Sequence, residues 1–260
     1  MSCGKDNSGS SPDSNQEQGI YWIGENWSRT IVNPQLYQVQ SRSVQKLIHH
    51  TAKLTGPKGH GSSIYLGRQM ILTNSHVVRG LGCQNLSIEI GPNKERLRCE
   101  EILWSDRDVD AALIRVSGNS LDRLPGYKMR EVDLPFRGLE LAVAGFGVIA
   151  NPNHEITFEV GGDCQILSNR EMRHMPSPGT SPELAYNVWA VPVGCDTSPG
   201  DSGAAVVNAQ TGDLVGIVFG GRLKKRGRIL TNNDSDIWDQ MSYIVPIREI
   251  QKRMRASFRR

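Results

Sequence analysis

The chain is dominated by short runs of apolar and β-branched residues that turn-forming residues keep separate. Each run has the length and alternation of a β-strand, and Gly or Pro stops it from continuing into the next. The sequence holds 27 Gly and 13 Pro, and it places turns such as 56–61 and 91–95 between runs. Short strands at regular spacing indicate an all-β sandwich or barrel. The predicted strands are 43–54, 61–67, 69–75, 86–91 and 110–116, then 139–147, 154–167, 187–193, 203–208, 214–221 and 241–247.

Two stretches break this pattern and divide the chain. Residues 1–18 are polar and of low complexity, which predicts a disordered tail or tether, because such a segment cannot bury enough apolar surface to become ordered. Residues 117–135 show little apolar periodicity, which predicts a crossover between two halves. We therefore place an N-terminal segment and a first β unit in 19–125, and a second β unit in 126–260.

The end of the chain is the one segment for which the sequence predicts a helix. Pro246 stands where a helix can begin, and Ile247, Ile250 and Met254 would share one face. Six Arg and Lys after residue 247 are interpreted as a solvated helix face, with nucleic-acid contact as the alternative. The net charge of +3 is too small to indicate a nucleic-acid partner, and none is predicted.

Four cysteines in the body of the chain suit an oxidising compartment. They can pair in three ways, and their order along the chain favours Cys83 with Cys99 and Cys164 with Cys195. Free buried thiols are the alternative.

The residues around Cys3 resemble the start of a mature bacterial lipoprotein. A small residue precedes Cys3, and a tether rich in Ser, Gly and Asn follows it. The resemblance implies a lipid on Cys3, membrane anchoring, and a place in the cell envelope or outside the cell. The alternative is an incidental cysteine in a cytosolic protein. No apolar run approaches the roughly 18 residues of a transmembrane helix.

The segment SPGDSGAAV (198–206) holds the strongest chemical signal. Gly200 and Gly203 flank Ser202, and two glycines let the backbone bend sharply and let a ligand approach it. Such a turn can direct the N–H groups of Gly200 and Ser202 into one space, where they would stabilise a developing oxyanion by about 3 kcal/mol per donor. A surface turn without chemistry is the alternative.

A serine hydroxyl needs a base, and the base needs an acid that orients it. Among the six His of the chain, His76 alone ends an apolar strand and can be held rigidly at a cleft. Asp110 opens the predicted strand 110–116, where its carboxylate can be buried, whereas Asp106 and Asp108 lie in a polar turn. We therefore select His76 and Asp110 as the partners of Ser202.

These three motifs, ILTNSHVV, DAALIRV and SPGDSGAAV in this order, resemble the chymotrypsin-like serine peptidases of bacterial type. The resemblance implies two six-stranded antiparallel β-barrels, with His76 and Asp110 from the first and Ser202 from the second. It implies a monomeric serine endopeptidase that acts on proteins or peptides through an acyl-enzyme, with Gly200 and Ser202 forming the oxyanion hole. No cofactor or metal is implied, because neither Cys nor His shows zinc spacing.

The same resemblance implies substrate-binding residues. Asp196 would lie at the base of the primary specificity pocket beside Thr197, which favours cleavage after Arg or Lys. The alternative specificity of glutamyl endopeptidases is disfavoured because Val218 stands where those enzymes carry a His. The segment that would pair with the substrate backbone comprises Phe219, Gly220 and Gly221.

Two further alternatives concern activity. In animal relatives, the Asp at the position of Asp201 pairs with an amino group that cleavage of the chain releases, and a cut after Arg29 or Arg42 would offer such a group. The protein can also be a protease-shaped binding module with weak or no catalysis, which the intact set of three residues argues against.

Overall fold

This computed structural model describes residues 21–22, 29–119, 121, 124–129, 133–149, 151–176, 187–221, 229–230 and 242–258. The predicted disordered tail 1–18, and Cys3 with it, lies outside the described residues. The described chain begins with two short strands and two helices: β1 (Tyr21–Trp22), β2 (Thr30–Ile31), α1 (Pro34–Gln38) and α2 (Arg42–His50).

The helix α2 corrects the prediction of one strand over 43–54. Val44, Leu47 and Ile48 are all buried, and their spacing of three and four residues places them on one face of a helix. Ser41 caps the helix by accepting from the N–H of Val44. Strand structure begins only at Thr51, so His49 and His50 end a helix, although both were predicted to lie in a strand.

The first β unit is a closed six-stranded antiparallel barrel, as expected. Its strands are hydrogen-bonded in the order β3-β4-β5-β8-β7-β6, and β6 returns to pair with β3. The strand β7 was not predicted, because its polar residues hide the alternation. The bounds are β3 (Thr51–Gly56), β4 (Gly59–Gly67), β5 (Met70–Thr73), β6 (Ser87–Ile90), β7 (Glu95–Asp106) and β8 (Ala111–Ser117), with a short helix α3 (Ser75–Val78) after β5.

The second β unit is an eight-stranded sheet that wraps round on itself. An antiparallel bridge between Ile166 and Val193 joins the residue after β10 to β12, so that six strands enclose a core. The strands β2 and β11 extend this unit beyond the six that were expected, in the order β11-β12-β16-β14-β13-β9-β10-β2. The bounds are β9 (Glu140–Gly145), β10 (Thr157–Gln165), β11 (Arg173–Pro176), β12 (Asn187–Val193), β13 (Ala205–Asn208), β14 (Leu214–Gly221), β15 (Ile229–Leu230) and β16 (Ser242–Pro246).

The helix at the end of the chain, α4 (Ile247–Phe258), follows β16 directly. Ile247 and Ile250 are buried, as the sequence predicts. The other end of the helix contacts the first barrel, since Trp104 donates a 3.2 Å hydrogen bond to Ser257. No helix among the described ranges is long and apolar enough to cross a membrane.

Two disulfides join the four cysteines in the favoured pairs. Cys83 is bonded to Cys99 in the first barrel, and Cys164 to Cys195 in the second unit. The second bond joins β10 to Cys195, the residue directly before Asp196. It therefore restrains the loop that carries the predicted specificity residue Asp196.

The buried face of α2 leads to a test of the corrected assignment. Leu47→Ala and Ile48→Ala should each lower the free energy of unfolding by about 2–5 kcal/mol, because both side chains are fully buried. Urea denaturation measures both values, with the exposed Arg42→Ala as a control expected within about 0.5 kcal/mol of the parent. A large cost at only one of the two positions would instead indicate the alternation of a strand.

Candidate active site

His76 lies at the rim of the first barrel, directly after a buried strand. β5 ends at Thr73, and the chain passes through Asn74 into α3, whose second residue is His76. Asn74 is buried, and its Nδ2 donates a 2.8 Å hydrogen bond to the carbonyl oxygen of Asp110. This bond holds the start of α3 beside Asp110, while the His76 side chain remains 22% exposed.

Asp110 holds His76 through two hydrogen bonds. Its Oδ2 accepts from the imidazole Nδ1 at 2.6 Å, and its Oδ1 accepts from the backbone N–H of His76 at 2.9 Å. Asp110 is fully buried, and its φ of +38° lies in the left-handed region, which is strained for a residue with a side chain. Because Nδ1 carries the proton that faces the carboxylate, Nε2 can accept one. The structure thus brings together the base and the acid that the sequence suggested.

Ser202 lies on a turn that requires glycine on both sides. Gly200 and Gly203 have φ values of +98° and +86°. A Cβ on Gly200 would lie 2.4 Å from the carbonyl oxygen of Phe146, and one on Gly203 would lie 2.1 Å from that of Ser62. Neither position has room for a side chain unless the backbone moves.

Ser202 and His76 line the same small cleft, and its other lining residues belong to the first barrel. These two described residues share no hydrogen bond, whereas His76 and Asp110 do. In a site without substrate, nucleophile and base are often farther apart than in the reacting complex. The structure therefore fixes His76 relative to Asp110 through hydrogen bonds, and it brings Ser202 to the same cleft without a hydrogen bond to His76.

The N–H groups of Gly200 and Ser202 are available to bind an anion. The carbonyl of Pro199 accepts a 3.0 Å hydrogen bond from Val148, so the N–H of Gly200, on the other side of the same trans peptide, points the opposite way. Within the described residues, neither N–H donates to a protein acceptor. Two unengaged donors beside a nucleophile suit the stabilisation of an oxyanion.

A buried ion pair lies beneath this turn. Nη2 of Arg29 donates to Oδ1 of Asp201 at 2.9 Å, and the two side chains are 0% and 1% exposed. The guanidinium also donates to the Oγ1 of Thr157 on β10 at 2.9 Å. The Asp201 carboxylate accepts two backbone N–H groups as well, from Gly147 at 3.0 Å and from Ser198 at 2.9 Å. Asp201 therefore connects the nucleophile turn to β10 and to the loop after β9.

This ion pair changes the expectation about activation. One alternative from the sequence was that Asp201 pairs with an amino group released by a cut after Arg29 or Arg42. In the structure, the Arg29 side chain itself neutralises Asp201, and the uncut chain continues into β2, which pairs with β10. The sequence carries no local signal for Arg29, because its partner is 172 residues away.

Ser62 on β4 holds the same turn from the first barrel. Its Oγ donates to the carbonyl oxygen of Gly200 at 2.7 Å and accepts from the N–H of Phe146 at 2.9 Å. Its own N–H donates to the carbonyl oxygen of Ser202 at 2.7 Å. Ser62 is completely buried, and its three bonds fix two carbonyls of the turn against the first barrel. The sequence analysis missed it, because nothing near Ser62 in the chain marks it.

The predicted specificity residues gather on the second unit. Thr197 Oγ1 lies 2.7 Å from Ser242 Oγ, and a Cβ on Gly221 would meet both residues. Asp196 is 8% exposed, and its N–H donates a 2.8 Å bond to the carboxylate of Glu159 on β10. Glu159 is 4% exposed, so two buried acidic residues adjoin each other. Glu159 is a residue that the sequence reasoning did not find.

The segment from Phe219 to Gly221 was predicted to pair with the substrate through its backbone, and the side chain of Phe219 is buried. It is 1% exposed and packs in the core near Tyr243, with ring centroids 6.4 Å apart. Gly220 and Gly221 follow at the partly exposed end of β14, where they pair with β16. Among these three residues, only the backbone is left to meet a substrate.

His60 lies on the first-barrel side of the turn. Its Nε2 is 2.8 Å from the carbonyl oxygen of Phe146, and burial lowers the pKa of the imidazole. The neutral ring therefore predominates at neutral pH. In the part of the chain that the structure describes, no three His, Cys, Asp or Glu side chains are grouped to hold a metal ion.

Comparison of the sequence with protein families finds a match over residues 61–217 to the trypsin-like peptidase domain. No curated protein matches the chain significantly. The matched range includes His76, Asp110 and Ser202.

Several solved structures have a similar fold. The active form of the Rv3671c protease from M. tuberculosis has a TM-score of 0.58 and 18% identity, over 86% of each chain. The serine endoprotease from Yersinia pestis has a TM-score of 0.57 and 17% identity, over 88% of this chain and 68% of its own. The MamO protease domain from Magnetospirillum magneticum has a TM-score of 0.57 and 16% identity, over 80% and 97%. At such low identity these likenesses show the fold.

Removal of the buried cation tests the role of Arg29. Arg29→Met leaves Asp201 buried and unpaired, which should lower the free energy of unfolding by about 3–5 kcal/mol. The distorted turn should slow the reaction of Ser202 with a fluorophosphonate roughly 100-fold or more.

Arg29→Lys should retain part of the reactivity because it keeps the charge, and the exposed Arg42→Met serves as the control. Intact-mass analysis of the labelled parent should find the adduct on uncut chain. A requirement for a cut after Arg29 or Arg42 before any labelling would contradict this role.

Proposed function

The chain belongs to the trypsin-like peptidase family, and from that premise we propose that it is a serine endopeptidase that hydrolyses peptide bonds through an acyl-enzyme. The observation that carries the proposal is the double hydrogen bond between His76 and Asp110 in the cleft that also contains Ser202. A binding module would have no need for a buried, strained carboxylate that fixes an imidazole at an open cleft.

The proposed reaction uses each group in turn. Nε2 of His76 takes the proton of the Ser202 hydroxyl as its oxygen attacks the carbonyl carbon of the scissile bond. Asp110 stabilises the resulting imidazolium, and the N–H groups of Gly200 and Ser202 bind the oxyanion. His76 then gives the proton to the leaving amine, the C–N bond breaks, and an ester on Ser202 remains. Water, activated by His76, hydrolyses the ester and restores the serine.

We propose that the acyl side of the site prefers Arg or Lys. The support is electrostatic, since the adjoining residues Asp196 and Glu159 are both acidic and buried next to Thr197. Negative charge there would offset the desolvation of a cationic side chain, whereas it would repel an acidic one. The buried Val218 offers no cation for an acidic side chain, which disfavours glutamyl specificity.

Location is proposed from the disulfides. The two disulfides are compatible with an extracellular or envelope location, because such bonds persist in oxidising compartments. We propose that the protein acts there as a monomer on protein or peptide substrates. Lipid anchoring through Cys3 stays a prediction.

A fluorogenic peptide library varied at the residue before the scissile bond tests the reaction. We expect turnover with Arg and Lys at that position, and its loss by a factor of roughly 10⁴ or more in Ser202→Ala, since the nucleophile acts as a unit with His76. Turnover that survives in Ser202→Ala would assign the cleavage to a contaminant. No turnover by the parent would favour the binding module.

The pocket assignment has its own test. Asp196→Ser should lower kcat/KM for Arg and Lys substrates roughly 10- to 150-fold relative to Leu substrates, the value of a lost hydrogen bond to a charged group. The exposed Asp133→Ser is the matched control and should leave this ratio as in the parent. An unchanged ratio in Asp196→Ser would refute the proposed pocket and leave the proposed reaction intact.

A further inference from the structure

A small pocket opens beside His76 and Ser202 on the side of the first barrel. Its volume is about 180 Å³, well below the 300–1,000 Å³ typical of sites for whole small molecules. A pocket of this size accepts one side chain. Besides His76 and Ser202, the lining residues used below are Leu54, Gly56, Lys58, His60, Val77, Leu81 and Leu86.

The pocket lies across the nucleophile from the proposed acyl-side pocket. Thr197, Gly221 and Ser242 gather on the second unit, whereas every lining residue of the small pocket except Ser202 belongs to the first barrel. A peptide that is cut at Ser202 must extend to both sides of it. If its acyl part occupies the second unit, the part released as an amine lies against the first barrel, beside the His76 that protonates it.

Four aliphatic side chains form part of the pocket wall, beside the imidazole of His60. Leu54 is buried in the first-barrel core, and Val77, Leu81 and Leu86 are half-buried at its edge. These four aliphatic side chains offer no hydrogen bond to a polar group. Another aliphatic side chain would bury apolar surface against them, which is favourable. Lys58 is exposed at the β3–β4 turn and contributes a positive charge at the pocket. An incoming cation would be repelled.

Gly56 keeps the pocket open. A Cβ at this position would lie 2.9 Å from Cδ1 of Leu81, so a larger side chain would enter the space between them. The backbone of Gly56 is not left-handed, and the atom it would meet is the end of a flexible side chain. A substitution there can therefore fill the pocket without displacing the backbone.

We propose that this pocket selects a medium-sized aliphatic residue, such as Leu or Met, as the first residue of the leaving group. The proposal rests on the proposed function, because a leaving group exists only if the protein forms an acyl-enzyme. It adds a second specificity determinant, independent of Asp196. The preferred cleavage site would then combine a basic residue before the scissile bond with an aliphatic residue after it.

Acyl transfer measures this pocket separately from the acyl side. p-Nitrophenyl acetate acetylates Ser202 whatever the specificity of the acyl-side pocket, and the released p-nitrophenol reports the step. The acetyl-enzyme then loses its acetyl group either to water, giving acetate, or to an added amino-acid amide, giving the N-acetyl amide. The α-amino nitrogen of the amino-acid amide attacks from the position of the leaving amine. Chromatography of the products with leucinamide, glycinamide and argininamide gives the partition ratios.

We expect leucinamide to compete with water at least tenfold better than glycinamide, because its side chain would bury apolar surface against the aliphatic residues of the pocket. Argininamide should compete no better than glycinamide. Gly56→Leu should reduce the advantage of leucinamide to about twofold or less, because it fills the pocket. Thr55→Leu is the matched control: it adds the same side chain to the neighbouring exposed position of β3, and should retain the parent ratio.

The outcomes separate the two proposals. Acetylation with equal transfer to leucinamide and glycinamide would overturn the selective pocket and leave the peptidase proposal standing. An advantage of leucinamide that persists in Gly56→Leu would also overturn it, provided that thermal melting shows the variant folded. Absence of any p-nitrophenol burst that depends on Ser202, tested with Ser202→Ala, would overturn both proposals.

Discussion

The buried carboxylate of Asp201 is the constraint around which the second half of the site is organised. A charge at this depth is tolerated only with an opposite charge and a full set of hydrogen bonds. Arg29 supplies the charge, and the N–H groups of Gly147 and Ser198 supply two of the bonds. Because Asp201 adjoins Ser202, the contacts that satisfy its carboxylate also determine the course of the nucleophile turn. The N-terminal segment that carries Arg29 is therefore part of the catalytic architecture.

The two β units contribute unequal parts of the site. The first barrel supplies the pair of His76 and Asp110, and through Ser62 it binds the carbonyl oxygens of Gly200 and Ser202. The second unit supplies the turn itself. Since Ser62 is buried and bonded to the turn from across the interface, a shift of one unit against the other would disturb the base, the nucleophile and the anion site together. Each disulfide joins two cysteines of the same unit, so the alignment of the two units depends on the contacts at their interface.

The surroundings of Ser202 differ in chemistry from one side to the other. On the second unit, Asp196 and Glu159 are adjoining buried acidic residues. On the first barrel, the small pocket is lined by four aliphatic side chains together with Lys58 and His60. Recognition on both sides of the scissile bond would make cleavage more selective than either pocket alone, since the contributions of separate sites to transition-state binding add.

Local patterns in the sequence were enough to predict the β class, the helix at the end, the favoured cysteine pairs, and the three motifs around His76, Asp110 and Ser202. Each of these depends on neighbours in the chain, such as alternation along a strand or two glycines around a serine. Residues 42–50 were assigned wrongly, because a helical spacing of Val44, Leu47 and Ile48 was interpreted as alternation. The tertiary structure alone decided the roles of Arg29, Ser62 and Glu159, and the burial of Phe219. Their partners lie far away in the chain, and the free energy of a buried charge or hydroxyl depends on which distant atoms surround it, which no local pattern records.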